Sequence, residues 1–169
     1  VRRLVAAGAL LALALPSVTA CGIGDTGPSA AGAPASGLPG PGGRPAAVVH
    51  VFFSSPVGLE RVSRPYQGPD APQAAMDRLV RGPDAAERVR GLVSFIPSGA
   101  PVPAAVTRQR GTADVYLPPG WTTDRTAVRQ LVCTAADAVG RADGTGPEDV
   151  RVRLHRTEGG EPATEACAR

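Results

Sequence analysis

From residue 47 onward, apolar positions recur with a period near 2 or near 3.6, and the switches between the two mark out the elements. Ala47-Val48-Val49-His50-Val51-Phe52-Phe53 is a near-continuous β-branched and aromatic run between Pro45 and Ser54-Ser55-Pro56, which predicts a buried strand. Leu59 to Tyr66 reads as a second, more polar strand, with Pro65 placing its end at a sheet edge. Asp70 is a good helix N-cap with Gln73 at N3, and Ala75, Met76, Leu79 and Val80 form an apolar stripe. The pattern predicts a helix over 71–81, stopped by Gly82-Pro83. Asp84 and Glu87 repeat the cap for a short helical turn ending at Gly91, and Leu92 to Ile96 leads to a turn at Pro97-Ser98-Gly99.

The stretches 102–108 and 112–117 flank Gln109-Arg110-Gly111 and read as a β-hairpin. In its second arm Ala113, Val115 and Leu117 alternate with Asp114 and Tyr116, as in a half-buried strand. Thr122-Thr123-Asp124 opens the longest helix, to about Val139. Leu131, Val132, Ala135 and Val139 lie within about 60° of Val128 on a helical wheel. Val150, Val152 and Leu154 alternate with Arg151, Arg153 and His155 in a last strand. The order ββαββαβ predicts an α/β (α+β) fold: one two-layer domain over 48–156, a mixed sheet with two helices on one face.

The amino end has a different logic. Arg2 and Arg3 precede an uncharged run of twelve residues, Leu4 to Leu15. As a helix it would rise about 18 Å, short of a hydrocarbon core of about 30 Å but suited to a signal-peptide h-region. Val18-Thr19-Ala20-Cys21-Gly22 resembles the bacterial lipobox, which implies a lipoprotein signal peptide over 1–20 and a diacylglycerol thioether on Cys21. An ordinary secretory signal with an incidental Cys is the alternative, and only Arg2-Arg3 speaks for twin-arginine export. Residues 22–47 hold eight Gly and five Pro in 26 positions with no apolar period, and read as a flexible linker spanning roughly 25–30 Å. The expected location is the cell membrane, lipid-anchored on the extracytoplasmic face.

Composition narrows the class. Hydrophobic residues make up 43% of the 169, but 29 are Ala, which leaves material for one modest core of about 100 residues. This pattern excludes a polytopic membrane protein, a coiled coil and a collagen. All 18 basic residues are Arg, and the bias toward Ala, Arg and Gly points to a GC-rich genome. Loss of Arg2 and Arg3 with the signal brings the formal +3 close to neutral, and no basic cluster argues for a nucleic-acid partner.

With Cys21 assigned to lipid, Cys133 and Cys167 remain as an even pair for an oxidising compartment. On the wheel Cys133 falls between Arg129 and Asp137 on the polar side of its helix, where an unpaired Cys has little to pack against. A Cys133–Cys167 bridge would lay the polar tail 157–169 across that helix. A reactive thiol or intermolecular pairing are the alternatives.

Reactive chemistry is sparse. His50 and His155 sit in predicted strands and would approach if the first and last strands paired, but without a neighbouring carboxylate or Cys cluster they make a poor metal site. Asp114, Asp124 and Asp137 read as strand or helix surface residues, and Glu148-Asp149 as a turn. No G-x-S-x-G and no G-x-G-x-x-G between a strand and a helix is present. No catalytic residue, metal or cofactor is predicted, and a hydrolase ranks third among the readings.

Leu79-Val80-Arg81-Gly82-Pro83, Gly91-Leu92, then Ser94, Ile96, Pro97 and Gly99, resemble the GerMN domain of the sporulation and spore germination family. The Val-rich hairpin, Leu131-Val132, the strand Val150–Leu154 and the opening strand with Val49, Val51 and Phe53 also match. The resemblance covers about 48–156. It implies a small α/β domain similar to ring-building motifs of sporulation channel proteins, found in Gram-positive and actinobacterial envelope lipoproteins, with no catalytic residues to carry over. This chain departs from the pattern at Pro118-Pro119 and holds one copy. The favoured reading is a membrane-anchored, extracytoplasmic lipoprotein whose domain is a non-enzymatic interaction or scaffold module, binding an envelope protein or itself. Its candidate surface is the sheet face opposite the helices, with Arg151 and Arg153, together with an exposed strand edge; plain solvated surface is the competing reading. The alternative function is binding of cell-wall glycan or a small ligand, with Tyr66, Tyr116 and Trp121 as a stacking platform. For Trp121, packing beside the helix start competes with that role.

Overall fold

The computed structural model describes residues 47–121 and 124–168. The signal segment 1–20, Cys21, most of the linker, and Thr122-Thr123 lie outside the described residues. Six strands and three helices follow in order: β1 (Ala47–Ser55), β2 (Gly58–Tyr66), α1 (Ala71–Val80), α2 (Ala85–Val89), β3 (Ala104–Gln109), β4 (Thr112–Leu117), α3 (Arg125–Asp143), β5 (Arg151–Arg156) and β6 (Ala163–Ala166). The fold is mixed α+β, as expected from the pattern.

Local chemistry sets the boundaries. Asp70, Asp84 and Asp124 each cap a helix by accepting a backbone N–H three residues on. At α2 the capping box is complete, because the Glu87 carboxylate also accepts the Asp84 N–H at 2.8 Å. Gln73 does not close the equivalent box on α1. Its carboxamide instead reaches β3, accepting from the Ala105 N–H at 3.0 Å and donating to the Pro103 carbonyl at 3.3 Å. The 109–111 turn takes Gly111 to φ 67, which a side chain would resist.

The single sheet divides in two. β1 and β2 form an antiparallel pair, and a second, mixed sheet runs β3-β4-β5-β6 with β4 and β5 parallel. The reason lies at the outer edge of β1. There the Phe52 N–H donates to Thr134 Oγ1 of α3 at 3.1 Å, and Ser54 exchanges two backbone hydrogen bonds with Val93. Helix side chains and a loop occupy the positions that a further strand would take.

α3 runs to Asp143, past the expected end at Val139, and closes on Gly144 at φ 76. Gly140 lies inside the helix because a Cβ there would meet the Thr145 carbonyl oxygen at 2.8 Å. The helix is buried on more sides than its apolar wedge suggested. Gln130, Thr134 and Asp137 face β1 and the 93–95 segment, while Leu131, Ala135 and Val139 join Val115, Val152 and Phe53 in one core. The tail is also structured. Cys133 is bonded to Cys167, and β6 pairs antiparallel with β5 over four residues, adding a strand to the expected order. Among the described residues no helix is long and apolar enough to cross a membrane.

Candidate functional site

The face of the four-stranded sheet turned away from the helices is built by strand alternation. Val152 and Leu154 of β5 and Ala113, Val115 and Leu117 of β4 point to the core. Arg151, Arg153 and His155 therefore share the other face with Asp114 and Tyr116. The parallel register places Asp114 opposite Arg153 and Tyr116 opposite His155. Thr164 and Ala166 of β6 extend the same face, opposite Arg153 and Arg151. Arg151 stands exposed at one end.

At the centre is a carboxylate. Asp114 is 1% exposed, and its two oxygens are held separately: Oδ2 accepts from Arg153 Nη2 at 2.8 Å, and Oδ1 meets His155 Nε2 at 2.7 Å. Tyr116 stacks on the His155 ring with centroids 4.4 Å apart, and Arg108 Nη2 donates to the Tyr116 hydroxyl at 3.3 Å. Burial pushes the Asp114 carboxyl up, but the hydrogen bonds from Arg153 and His155 outweigh it and hold the group below the usual aspartate range. The same contact raises the Arg153 guanidinium further above its ordinary value. Arg153 is thus committed to Asp114, while Arg151 faces solvent.

Several sequence expectations change here. Asp114 and Asp137 are not surface residues; both are 1% exposed. The two histidines lie in different sheets, so the first and last strands do not bring them together. Nor do they lack carboxylates: His50 Nδ1 meets Asp137 Oδ2 at 2.8 Å, and Arg61 Nη1 donates to Asp137 Oδ1 at 3.4 Å. That second cluster ties the β1–β2 hairpin to α3. The three aromatic candidates stand in three places. Tyr66 ends β2, Tyr116 lies on the outer sheet face, and Trp121 is buried, its Nε1–H donating to the Pro101 carbonyl at 3.2 Å. They do not form one platform. Among the described residues no three His, Cys, Asp or Glu side chains gather as a metal set.

A family model described as sporulation and spore germination, named Germane, matches residues 50–154, which is most of the described chain. The chain belongs to the Germane family. This Germane domain is also similar to the tandem GerMN domains of the sporulation protein GerM from Bacillus subtilis, at 14% identity with a TM-score of 0.41. The match covers 72% of this chain and 45% of that one, so the chain spans less than half of the solved structure's length. No curated protein matches it. The Germane match begins at His50 and ends at Leu154, and so contains Asp114, Tyr116, Arg151 and Arg153 but neither His155 nor β6.

Proposed function

We propose that this Germane-family chain is a membrane-tethered, extracytoplasmic and non-enzymatic interaction module of the cell envelope, which binds a protein partner or a second copy of itself through the outer face of its four-stranded sheet. The observation that carries this reading is the clamp at Asp114. A buried carboxylate fixes Arg153 and His155 in place, His155 holds Tyr116 by stacking, and Arg151 projects beside them from the same strand. Fixed side chains lose little rotamer entropy on binding, so such a grid suits recognition. Beside it, β6 pairs with no further strand among the described residues and offers its free edge to an added strand.

Arg151→Glu is the informative variant because it reverses the projecting charge and leaves the clamp intact. Arg153→Glu would place one carboxylate against another and test stability instead. Crosslinking of the tethered protein in its host, followed by mass spectrometry, should recover partners with wild type and lose them with Arg151→Glu. Unchanged recovery removes this face from consideration. Binding of the purified chain to isolated cell wall would favour the glycan reading instead.

The tether rests on Arg2-Arg3, the apolar run Leu4 to Leu15 and the lipobox-like 18–22 segment in that order, and is tested separately. Radiolabelled palmitate is expected to mark the wild-type protein in its host and to leave Cys21→Ser unlabelled and released from the membrane fraction. Equal labelling of the two proteins rejects Cys21 as the anchor.

A further inference from the structure

A second surface, away from the clamp, surrounds the β1–β2 turn. Val57 and Val89 are 90% and 89% exposed, and Val93 and Phe95 are 51% and 46% exposed. These are the four most exposed of the large apolar side chains described, and they come from neighbouring segments. Pro56 Cδ lies 3.9 Å from where a Cβ on Gly91 would stand, and Ser54 exchanges backbone hydrogen bonds with Val93 at 2.9 and 2.8 Å. Their exposure is fixed by the fold. Gln130, fully buried, donates to the Val93 carbonyl at 2.9 Å and accepts from the Phe95 N–H at 2.9 Å. Leu92 and Ile96 point inward on either side, so Val93 and Phe95 are left facing out.

A cleft of about 400 Å³ opens beside this patch, with Val80, Pro83, Leu92, Val93 and Ile96 in its wall. Arg81 and Arg88 line it, and Arg90 stands exposed at the end of α2. Three arginines stand here against one exposed carboxylate, that of Asp84. Asp84 accepts the Glu87 N–H, and the Glu87 carboxylate is buried in a two-pronged pair with Arg64. The surface is therefore apolar at its centre and cationic at its rim. Exposed apolar groups held rigid around a recess mark a binding surface rather than ordinary solvated chain.

We infer that this end of the domain docks an acidic, amphipathic segment of a partner protein. Its apolar side chains enter the cleft and cover Val57, Val89, Val93 and Phe95, and its Asp or Glu residues pair with Arg81, Arg88 and Arg90. Concavity favours a peptide over a lipid surface, because a bilayer lying across Val57 and Val89 would leave the recess unfilled.

The test uses the full chain and three probes. These are a short fluorescein-labelled synthetic peptide with Leu and Phe at helical spacing among Asp and Glu, its twin with Lys and Arg in place of the acids, and phosphatidylglycerol vesicles. Fluorescence anisotropy is expected to show the acidic peptide binding at least about tenfold more tightly than its twin, and less tightly as salt rises. The exposed double variant Val89→Ser/Phe95→Ser should keep the wild-type thermal midpoint yet weaken the acidic peptide about tenfold, and Arg88→Glu should do likewise. Arg151→Glu should leave this binding unchanged, so failure here and failure at the outer sheet face read out separately. Equal binding of the two peptides overturns the proposal, as does binding indifferent to Val89 and Phe95. Cosedimentation with the vesicles that depends on the same residues would reassign the surface to membrane.

Discussion

Replacing Cys133 and Cys167 together by Ala is expected to lower the free energy of unfolding by about 3–4 kcal/mol, the chain-entropy value for a closed loop of this length. The bridge joins residues 34 apart and ties β6 to the middle of α3. Without it little holds the tail. All four residues of β6 are exposed, and its anchorage reduces to the ladder with β5 and the hydrogen bond from Arg129 Nη2 to the Ala168 carbonyl at 3.1 Å. A four-residue polar edge strand does not offset its own ordering entropy. The variant should therefore show a lower urea midpoint, and limited trypsin digestion should cleave after Arg156 and release the tail, which wild type resists. An unchanged midpoint and digestion pattern would show that β6 and the tail are held by something other than the bridge. Ala is the proper replacement, since Cys133 is 1% exposed and Ser would add a buried hydroxyl to the cost.

That burial shows what the amino-acid pattern could reveal. On a helical wheel Cys133 falls on the polar side, and the bridge to the tail accounts for it, because the tail covers the position and makes it core. Features with local causes were legible in this way: the apolar run of β1, the aspartate caps, the Gly111 turn, the alternation in β4 and β5. Features that depend on distant partners were not. Gln130, Thr134 and Asp137 look like a solvated helix face until Val93, Phe52 and His50 are placed against them. Once there, they fill the edge of β1 and divide the sheet. β6 carries no apolar alternation of its own, because its position comes from the free edge of β5 and the disulfide. The candidate site was half legible for the same reason. Alternation puts Arg151, Arg153 and Tyr116 on one face, but only the β4–β5 register brings Arg153 and His155 onto Asp114, and that pairing turns an apparent surface aspartate into a buried anchor.

Asp114→Asn tests that anchor. The substitution keeps the shape and removes the charge that Arg153 and His155 both address. Hydrogen bonds to a charged group contribute about 1.5–3 kcal/mol each net, and Arg153 engages Asp114 through Nη2 while its Nε is buried without a hydrogen-bond partner. A loss of about 1.5–3 kcal/mol at neutral pH is expected, because Asn still accepts one bond. The pH dependence carries a definite sign. The folded carboxyl lies below its unfolded value of about 3.9, so the native state favours the ionised form. Its contribution is complete above the unfolded value and is lost as pH falls through the folded one. Glu87 is also held low, chiefly by its hydrogen bond from Arg64, but it titrates identically in both proteins and cancels from their difference. Urea midpoints of wild type and Asp114→Asn should therefore differ at pH 7, where the carboxylate contributes in full, and the gap should close as pH falls below about 4. A gap that persists unchanged into strong acid would mean that the variant harms packing rather than charge, and the outer sheet face would lose the fixed carboxylate on which its role as a binding grid depends.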